Sequence, residues 1–195
     1  MNMTHSPRWI IIGLGNPGRE HELNRHNAGF MCVDALAKKH NINTNQVKFD
    51  SLIGCGEICN QTCLLMKPLT YMNHSGVAVL ECLNYFDMDI SQLIVVLDDI
   101  SFLPGNLRVR KNGSAGGHKG LNSVIESLST QDFMRIRIGV GQPPKSYSLE
   151  EWVVTNFDEI DMTAIRDAIE KTCDAIDMII NGDIDKAMSR YNRLL

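Results

Sequence analysis

The spacing of apolar residues changes several times along the chain, and each change predicts the start of a new strand or helix. The run Trp9-Ile-Ile-Ile-Gly13 is apolar throughout, which is typical of a buried strand, and the turn residues Asn16-Pro17-Gly18 follow it. From about Ala28 to His40, apolar residues recur at helical spacing. This segment ends in three basic residues, which favour a helix C-terminus because they offset the negative end of the helix dipole.

The next segments predict a hairpin and a second helix. Leu52 to Cys59 and Thr62 to Met66 have the composition of two strands that turn at Asn60-Gln61. Ser75 to Phe86 has helical spacing. We expect Ser75 to be the N-cap of that helix, because a serine hydroxyl accepts hydrogen bonds from free amides of the first turn.

The second half of the chain alternates strands and helices. Leu93 to Leu97 is apolar at every position, as in a central strand that is covered on both faces. The further predicted elements are a half-exposed strand (Leu107 to Lys111), a glycine-rich loop (Gly113 to Gly120), a helix (about Leu121 to Leu128), a strand (Arg135 to Val140), a loop (Gln142 to Ser148) and two acidic helices separated near Gly182. Together they predict an α/β fold with a mixed, mostly parallel central sheet and helices on both faces. We expect residues 1–195 to form one domain, because this length suits one hydrophobic core.

Composition narrows the class of protein. Hydrophobic residues make up 44% of the chain and charged residues 22%, which is typical of a soluble globular protein and excludes a disordered or fibrous one. No apolar run reaches the roughly 18–20 residues that cross a bilayer. The segment Met1 to Arg8 lacks the basic start and apolar stretch of a signal peptide, so we expect a cytoplasmic protein without a membrane partner.

The charge is distributed unevenly along the chain. The net charge is −4, but residues 104–149 contain 7 basic and 2 acidic side chains, whereas residues 150–195 contain 5 basic and 11 acidic ones. A basic middle segment between acidic flanks favours binding to a phosphate backbone. The alternative interpretation is a charged surface that only meets solvent.

Three cysteines, Cys55, Cys59 and Cys63, lie four positions apart. Zinc and iron–sulfur sites usually have two residues between paired cysteines, and no fourth ligand lies nearby in the sequence. We therefore expect no metal, and interpret these residues as reduced, partly buried thiols of the hairpin.

The segment Gly13-Leu-Gly-Asn-Pro-Gly18 fits the dinucleotide-binding pattern G-x-G-x-x-G after a strand. A dinucleotide site also needs a helix that opens within the glycines, but here polar residues continue to Asn27. It needs an acidic residue after a parallel second strand as well, whereas the next strands are predicted to form a hairpin. A dinucleotide-dependent oxidoreductase is therefore the weakest alternative, and a cofactor absorbance scan would test it.

Six segments are distinctive in combination: Gly13-Leu-Gly-Asn-Pro-Gly18, Arg25-His-Asn-Ala-Gly29, Lys67-Pro-Leu-Thr-Tyr-Met-Asn-His-Ser-Gly76, Asp98-Asp-Ile-Ser-Phe-Leu-Pro-Gly105, Gly113-Ser-Ala-Gly-Gly-His-Lys-Gly-Leu121 and Arg135-Ile-Arg-Ile-Gly-Val-Gly141. In this order they closely resemble the bacterial peptidyl-tRNA hydrolase family. The resemblance covers the chain from Trp9 to about Phe157 and is weaker in the C-terminal helices. It implies an enzyme that hydrolyses the ester between a peptide and tRNA, without a cofactor, and we expect a monomer.

The resemblance also implies roles for individual residues. His26 matches the family's general base, and Asp98 matches the carboxylate that orients it. Asn16 matches the amide that distinguishes N-blocked from free aminoacyl esters, and Asn73, with Tyr71 beside it, matches a segment that binds the peptide and the tRNA end. The chemistry agrees, because ester hydrolysis needs an activated water, an oriented base and donors for the developing oxyanion. An alternative hypothesis is a relative that retains RNA binding but has lost hydrolysis.

Several cations occupy positions where the family contacts tRNA phosphates. These residues are Arg108, Arg110, Lys111 and Arg137. The alternative interpretation is that they form a solvated strand face.

Two departures from the family pattern affect the expected site. The family usually has Tyr where this chain has His21, which implies a changed contact to the tRNA end. It usually has Asn where this chain has Lys119. Lys119 replaces a neutral amide by a cation, which we expect to pair with Asp98 or with a phosphate. His74, where the family is often apolar, is a milder change, and His118 matches a family histidine whose implied role is structural.

Overall fold

Seven strands form one sheet in this computed structural model, which describes residues 6–192. The strands are β1 (Trp9–Gly13), β2 (Gln46–Lys48), β3 (Ser51–Ile58), β4 (Gln61–Pro68), β5 (Leu93–Asp99), β6 (Leu107–Arg110) and β7 (Met134–Gly139). Their order across the sheet is β2-β3-β4-β1-β5-β7-β6. The four central strands β4, β1, β5 and β7 are parallel, and β2, β3 and β6 run antiparallel to their neighbours. This confirms the predicted mixed sheet with a parallel centre.

Residues 6–192 contain six α-helices, five of which cover the two faces of the sheet. The six helices are α1 (Ala28–Lys39), α2 (Ser75–Phe86), α3 (Lys119–Leu128), α4 (Leu149–Val153), α5 (Glu159–Ile180) and α6 (Ile184–Tyr191). Helices α1, α5 and α6 pack on one face, and α2 and α3 pack on the other. None of the described helices is long and apolar enough to span a membrane.

Strand β5 shows why its sequence is apolar at consecutive positions. Ile94 and Val96 join the core beneath α1 and α5, whereas Leu93, Val95 and Leu97 join the core beneath α2 and α3. Successive side chains of a strand point to opposite faces, so a strand that is covered on both faces needs apolar residues at every position.

Three details differ from the sequence-based expectations. The short edge strand β2 and the single-turn helix α4 were not predicted, since three to five residues give little periodicity. The N-cap prediction for Ser75 was wrong, because Ser75 is the first helical residue and His74 precedes it as the cap. The Ser75 hydroxyl donates a hydrogen bond to the Met72 carbonyl at 3.0 Å instead of accepting one from a helical amide.

The hairpin cysteines agree with the interpretation as free thiols. Cys55 and Cys63 lie on β3 and β4, Cys59 lies at the turn, and all three are free. Burial raises the pKa of the Cys63 thiol to about 12, so it is an unreactive core group.

Two glycines bring α1 unusually close to the ends of the central strands. A Cβ atom on Gly13 would lie 2.2 Å from the Gly29 carbonyl oxygen, and one on Gly29 would lie 2.5 Å from the Val96 carbonyl oxygen. Only glycine allows such an approach of two backbones. The 3-10 turn Arg25–Asn27, which directly precedes α1, is therefore held at the carboxyl end of β5.

Candidate active site

Asp98 lies near the carboxyl end of β5, the edge where ligands of open α/β sheets collect. Its side chain is 2% exposed, and Oδ1 accepts a hydrogen bond of 2.8 Å from His26 Nδ1. Sequence reasoning expected this pair, and the structure brings the two residues together across 72 positions of the chain.

Arg25 fixes the turn that carries His26. Its guanidinium is buried, donates to the Val140 carbonyl and to Asp161 Oδ2, each at 2.9 Å, and lies 3.8 Å from the centre of the Trp152 ring. These contacts tie the turn to the segments after β7. The backbone of His26 is therefore anchored by contacts other than its bond to Asp98.

His118 is a second imidazole bound to Asp98. Its Nε2 donates to the same Oδ1 atom at 2.9 Å, and its Nδ1 accepts a hydrogen bond of 3.1 Å from the Leu121 backbone N–H. The ring centres of His26 and His118 are 4.8 Å apart. We expected a structural role for His118, but not a contact with the same carboxylate oxygen, because no local pattern in the sequence links the glycine loop to β5.

The charge of Asp98 is stabilised by these two partners. Burial by itself would raise the pKa of the carboxyl, but the interactions with His26 and His118 outweigh it and hold the pKa of Asp98 well below its usual range. Asp98 is therefore a carboxylate at neutral pH, as an acceptor for two ring N–H groups must be.

Asn16 links the loop after β1 to the 3-10 turn Met72–His74. Its Oδ1 accepts from the Met72 backbone N–H at 2.9 Å, and its own backbone N–H and carbonyl bond the Asn27 amide at 2.9 Å each. Because a backbone N–H can only donate, the orientation of the Asn16 amide is fixed. Within residues 6–192 its Nδ2 group has no partner, so this donor remains for a ligand.

Tyr71 and Asn73 lie at the rim of the same site. Tyr71 is 59% exposed and has φ 58° and ψ 161°, a conformation that non-glycine residues rarely adopt. Asn73 is also exposed. Backbone strain of this kind costs on the order of 1–3 kcal/mol and is concentrated at functional sites.

These residues surround a cavity of about 440 Å³. The polar residues of its lining are Asn16, His21, His26, Tyr71, Asn73, Asp98, Asp99, His118, Lys119, Arg137 and Glu150. Sequence reasoning missed the apolar residues of the lining, which include Ile100, Leu149, Val153 and Val154. Leu149 and Val153 are four positions apart and could have indicated an apolar helical face.

His26, Asp98 and His118 also form the one group of three potential metal ligands within residues 6–192. A histidine that ligates a metal normally donates its other ring N–H to an acceptor. His118 Nδ1 instead accepts from a backbone N–H, so the proton of the neutral ring is on Nε2. This proton blocks the nitrogen that would have to bind the metal. The hydrogen-bond pattern therefore favours a proton-linked triad over a metal site.

Comparisons with known proteins identify one family. The sequence profile of the family described as peptidyl-tRNA hydrolase matches residues 10–194. This chain belongs to the peptidyl-tRNA hydrolase family. It is 45% identical over 184 residues to the peptidyl-tRNA hydrolase of Lachnospira eligens, covering 94% of this chain and 99% of that protein. It is 46% identical to that of Finegoldia magna, covering 94% and 97%. The crystal structure of peptidyl-tRNA hydrolase from Acinetobacter baumannii superposes with a TM-score of 0.91 at 30% identity, covering 97% of both chains.

Lys119 departs from the family pattern, and the structure corrects the expected pairing with Asp98. The Lys119 ammonium lies 3.4 Å from Glu150 Oε1, and both side chains are more than 60% exposed. Asp98 is bonded to the two histidines instead. Lys119 begins α3 and Glu150 lies on α4, so this pair joins two elements at the cavity rim.

His21, the other departure, lines the cavity from the 3-10 turn Arg19–His21. Its Nδ1 is 3.0 Å from the Asn24 side-chain amide nitrogen, and its Nε2 is 3.8 Å from Glu20. With Nδ1 accepting from Asn24, the Nε2–H of the neutral ring is the donor that a ligand can use.

The arginines that were expected to contact tRNA phosphates have three different environments in this structure. Arg108 is 8% exposed, donates to the Asn192 carbonyl, and lies 4.9 Å from the centre of the Phe102 ring. Its burial argues against the expected phosphate contact, because a guanidinium committed to a carbonyl is not free for a phosphate. Arg110, on the same edge strand, is exposed.

Arg137 lines the cavity but is bonded within the protein. It donates to Asp99 Oδ2 at 2.9 Å and to the Ser114 carbonyl at 2.7 Å. Arg135, two positions earlier and fully buried, donates to the Gly113 carbonyl. The two arginines therefore hold the start of the glycine loop against β7, which accounts for part of the basic middle segment without any nucleic acid.

Proposed function

We propose that the protein hydrolyses the ester bond between the peptide and the tRNA of peptidyl-tRNA and releases tRNA for reuse in translation. The family membership supports this reaction. The observation that carries the mechanism is the 2.8 Å hydrogen bond between His26 Nδ1 and the buried carboxylate of Asp98. It leaves His26 Nε2 as the free basic atom of a residue that lines the cavity.

In the proposed reaction, His26 Nε2 takes a proton from a water molecule while the water oxygen attacks the ester carbonyl. Asp98 accepts the Nδ1–H, selects this tautomer and stabilises the imidazolium that forms. The ester C–O bond then breaks, and the leaving ribose oxygen receives the proton from His26. The products are a tRNA with a free terminal hydroxyl and a peptide carboxylic acid, which loses the second proton of the water to solvent and becomes a carboxylate.

The cavity lining suggests how the substrate is held. The free Asn16 Nδ2 group would donate to a carbonyl of the peptide, and the apolar lining residues, such as Leu149 and Val153, would contact the last amino-acid side chain. Tyr71, Asn73, His21 and Lys119 would bind the substrate around the tRNA end. Arg110, as the exposed arginine of β6, is the better candidate for a phosphate contact than Arg108.

We further propose that the whole chain acts as one domain, as a monomer and in the cytoplasm, where peptidyl-tRNA is produced, without a metal or other cofactor. Helix α1 begins ten positions after Gly18, so the glycine segment 13–18 does not offer the N-terminus of an α-helix to a dinucleotide phosphate. An absorbance scan of the purified protein remains a direct check of that alternative.

The decisive experiment measures release of N-acetyl-aminoacyl groups from tRNA by the purified protein and by His26→Ala. We expect hydrolysis by the wild type, and a loss of about 10²–10⁴-fold in the variant, the range of general-base contributions. His40→Ala is a matched control, because His40 also contacts a carboxylate, Asp177 at 3.0 Å, but at the opposite end of α1. Full binding of tRNA without hydrolysis by the wild type would support the alternative of an RNA-binding relative.

A further inference from the structure

We infer that His118 is a positioning residue that shares the Asp98 carboxylate with His26, and so limits how strongly Asp98 stabilises the protonated form of His26. This inference rests on the proposed role of His26. It concerns a residue of the glycine loop that makes its contact through Asp98 and not through the reacting atoms.

The hydrogen bonds of His118 determine its tautomer. The Leu121 backbone N–H donates to His118 Nδ1 at 3.1 Å, so Nδ1 presents a lone pair. A neutral imidazole carries one N–H, which is then on Nε2, the atom 2.9 Å from Asp98 Oδ1. A proton on Nδ1 would face the Leu121 N–H and would break the cap of α3. His118 is therefore built to be a donor to Asp98.

The two imidazoles compete for one oxygen atom. His26 and His118 both donate to Asp98 Oδ1, at 2.8 and 2.9 Å. A carboxylate oxygen that already accepts one charge-assisted hydrogen bond attracts a second donor less strongly. The imidazolium of His26 consequently gains less from Asp98 than it would from a carboxylate of its own.

The packing around His118 keeps the ring in this position. Its side chain is 7% exposed. A Cβ atom on Gly120 would lie 2.3 Å from Met72 Sδ and 3.2 Å from His118 Cε1, so the first turn of α3 packs tightly against the loop beside Asn16. This geometry leaves the ring little room to rotate away from Asp98.

The other charged groups near His26 and His118 already form ion pairs with one another. Asp99 pairs with Arg137, Lys119 with Glu150, and Arg25 with Asp161. Two titratable residues of the cavity wall remain: His21 is bonded to Asn24, and Tyr71 is 59% exposed at the rim. None of these pairs includes His118, so replacing His118 leaves them in place and its effect reports on Asp98 and His26.

The test is His118→Asn. The asparagine oxygen can accept from the Leu121 N–H, because Asn is a preferred N-cap, but the side chain is too short to reach Asp98 as the imidazole does. We expect the acidic midpoint of the pH profile of kcat/KM to rise by about 0.5–1 unit, a part of what one charge-assisted hydrogen bond is worth. The melting temperature should stay near that of the wild type, and kcat on the plateau should fall less than about tenfold, since His26 and Asp98 remain.

His40→Asn serves as the matched control and should leave the midpoint unchanged. An unchanged midpoint in His118→Asn, with an unchanged melting temperature, would overturn the inference. A second measurement does not depend on activity: ring ¹⁵N NMR of the wild type should show His118 as the Nε2–H tautomer between about pH 6 and 8. A protonated Nδ1 of His118 in that range would also overturn the inference. Absence of hydrolysis in the wild type would instead contradict the proposed function.

Discussion

The centre of the site and its rim differ in how their side chains are held. At the centre, the side chains of His26, Asp98 and His118 are 11%, 2% and 7% exposed, and they are joined by two hydrogen bonds. At the rim, Lys119 and Glu150 are 62% and 65% exposed and are joined by one ion pair.

This difference indicates that the centre performs the chemistry and that the rim binds the substrate. A buried group that hydrogen bonds hold in place has its geometry before the substrate arrives, so little reorganisation is needed in the transition state. An exposed ion pair is worth only about 0–1 kcal/mol and can open for a ligand at small cost. We therefore expect substitutions at the centre to change kcat strongly, and substitutions at the rim to change binding weakly.

Asp98→Asn should give the largest effect on kcat, and it tests whether the buried centre of the site is preorganised. The variant loses the acceptor for both ring N–H groups, so His26 can adopt the wrong tautomer, and we expect kcat to fall about 10²–10⁴-fold. The measurement is single-turnover hydrolysis at saturating enzyme. Because the pKa of Asp98 is held well below its usual range, Asp98 stays charged above about pH 4, and the acidic limb of the wild-type profile belongs to another group. A decrease of less than threefold would show that the centre is not preorganised by Asp98.

Asn16→Asp tests a residue that lies between the centre and the rim of the site. The carboxylate can still accept from the Met72 N–H, but the Nδ2 donor is lost. We expect kcat/KM for N-acetyl-aminoacyl-tRNA to fall about tenfold or more, the value of one hydrogen bond together with an uncompensated charge. The melting temperature serves as the control for the retained contact. Unchanged kcat/KM would mean that the substrate does not use this donor.

Arg110→Gln and Arg108→Gln compare an exposed cation with a buried one on the same strand. Loss of one phosphate contact should lower the slope of log affinity against log salt by about one, and we expect this for Arg110→Gln only. Arg108→Gln should instead lower the melting temperature, because its buried guanidinium contacts the Asn192 carbonyl and Phe102. Filter binding of tRNA at several salt concentrations makes the measurement. If Arg108→Gln also lowered the slope of log affinity against log salt, Arg108 would be a phosphate contact after all.

Lys119→Asn should have the smallest effect on activity. Since the ammonium pairs with Glu150 and not with Asp98, we expect activity within about threefold of the wild type and a small upward movement of the acidic midpoint. Glu150→Gln is the partner control and should move the midpoint the other way, because it leaves the Lys119 charge unmatched. A loss of more than tenfold in Lys119→Asn would give Lys119 a part in catalysis or in tRNA binding.

Much of the fold follows from local sequence. The all-apolar β5 and the helical spacing of residues 28–40 correspond to elements that the structure contains at nearly the same bounds. These features depend on neighbours within a few positions, so a linear pattern is sufficient to predict them. His26, Asp98 and Asn16 were found by the resemblance of six ordered segments, and periodicity alone would not have selected them.

Only the tertiary structure decided which of these residues meet, and how. The single oxygen of Asp98 that binds both His26 and His118 depends on two loops that β5 brings together. The alternation of β6 predicts that Arg108 and Arg110 share a face, but it does not predict that the chain near Asn192 covers the first and leaves the second exposed. Burial and hydrogen-bond partners of this kind come from contacts between residues 20 to 84 positions apart, which no local pattern of side chains encodes.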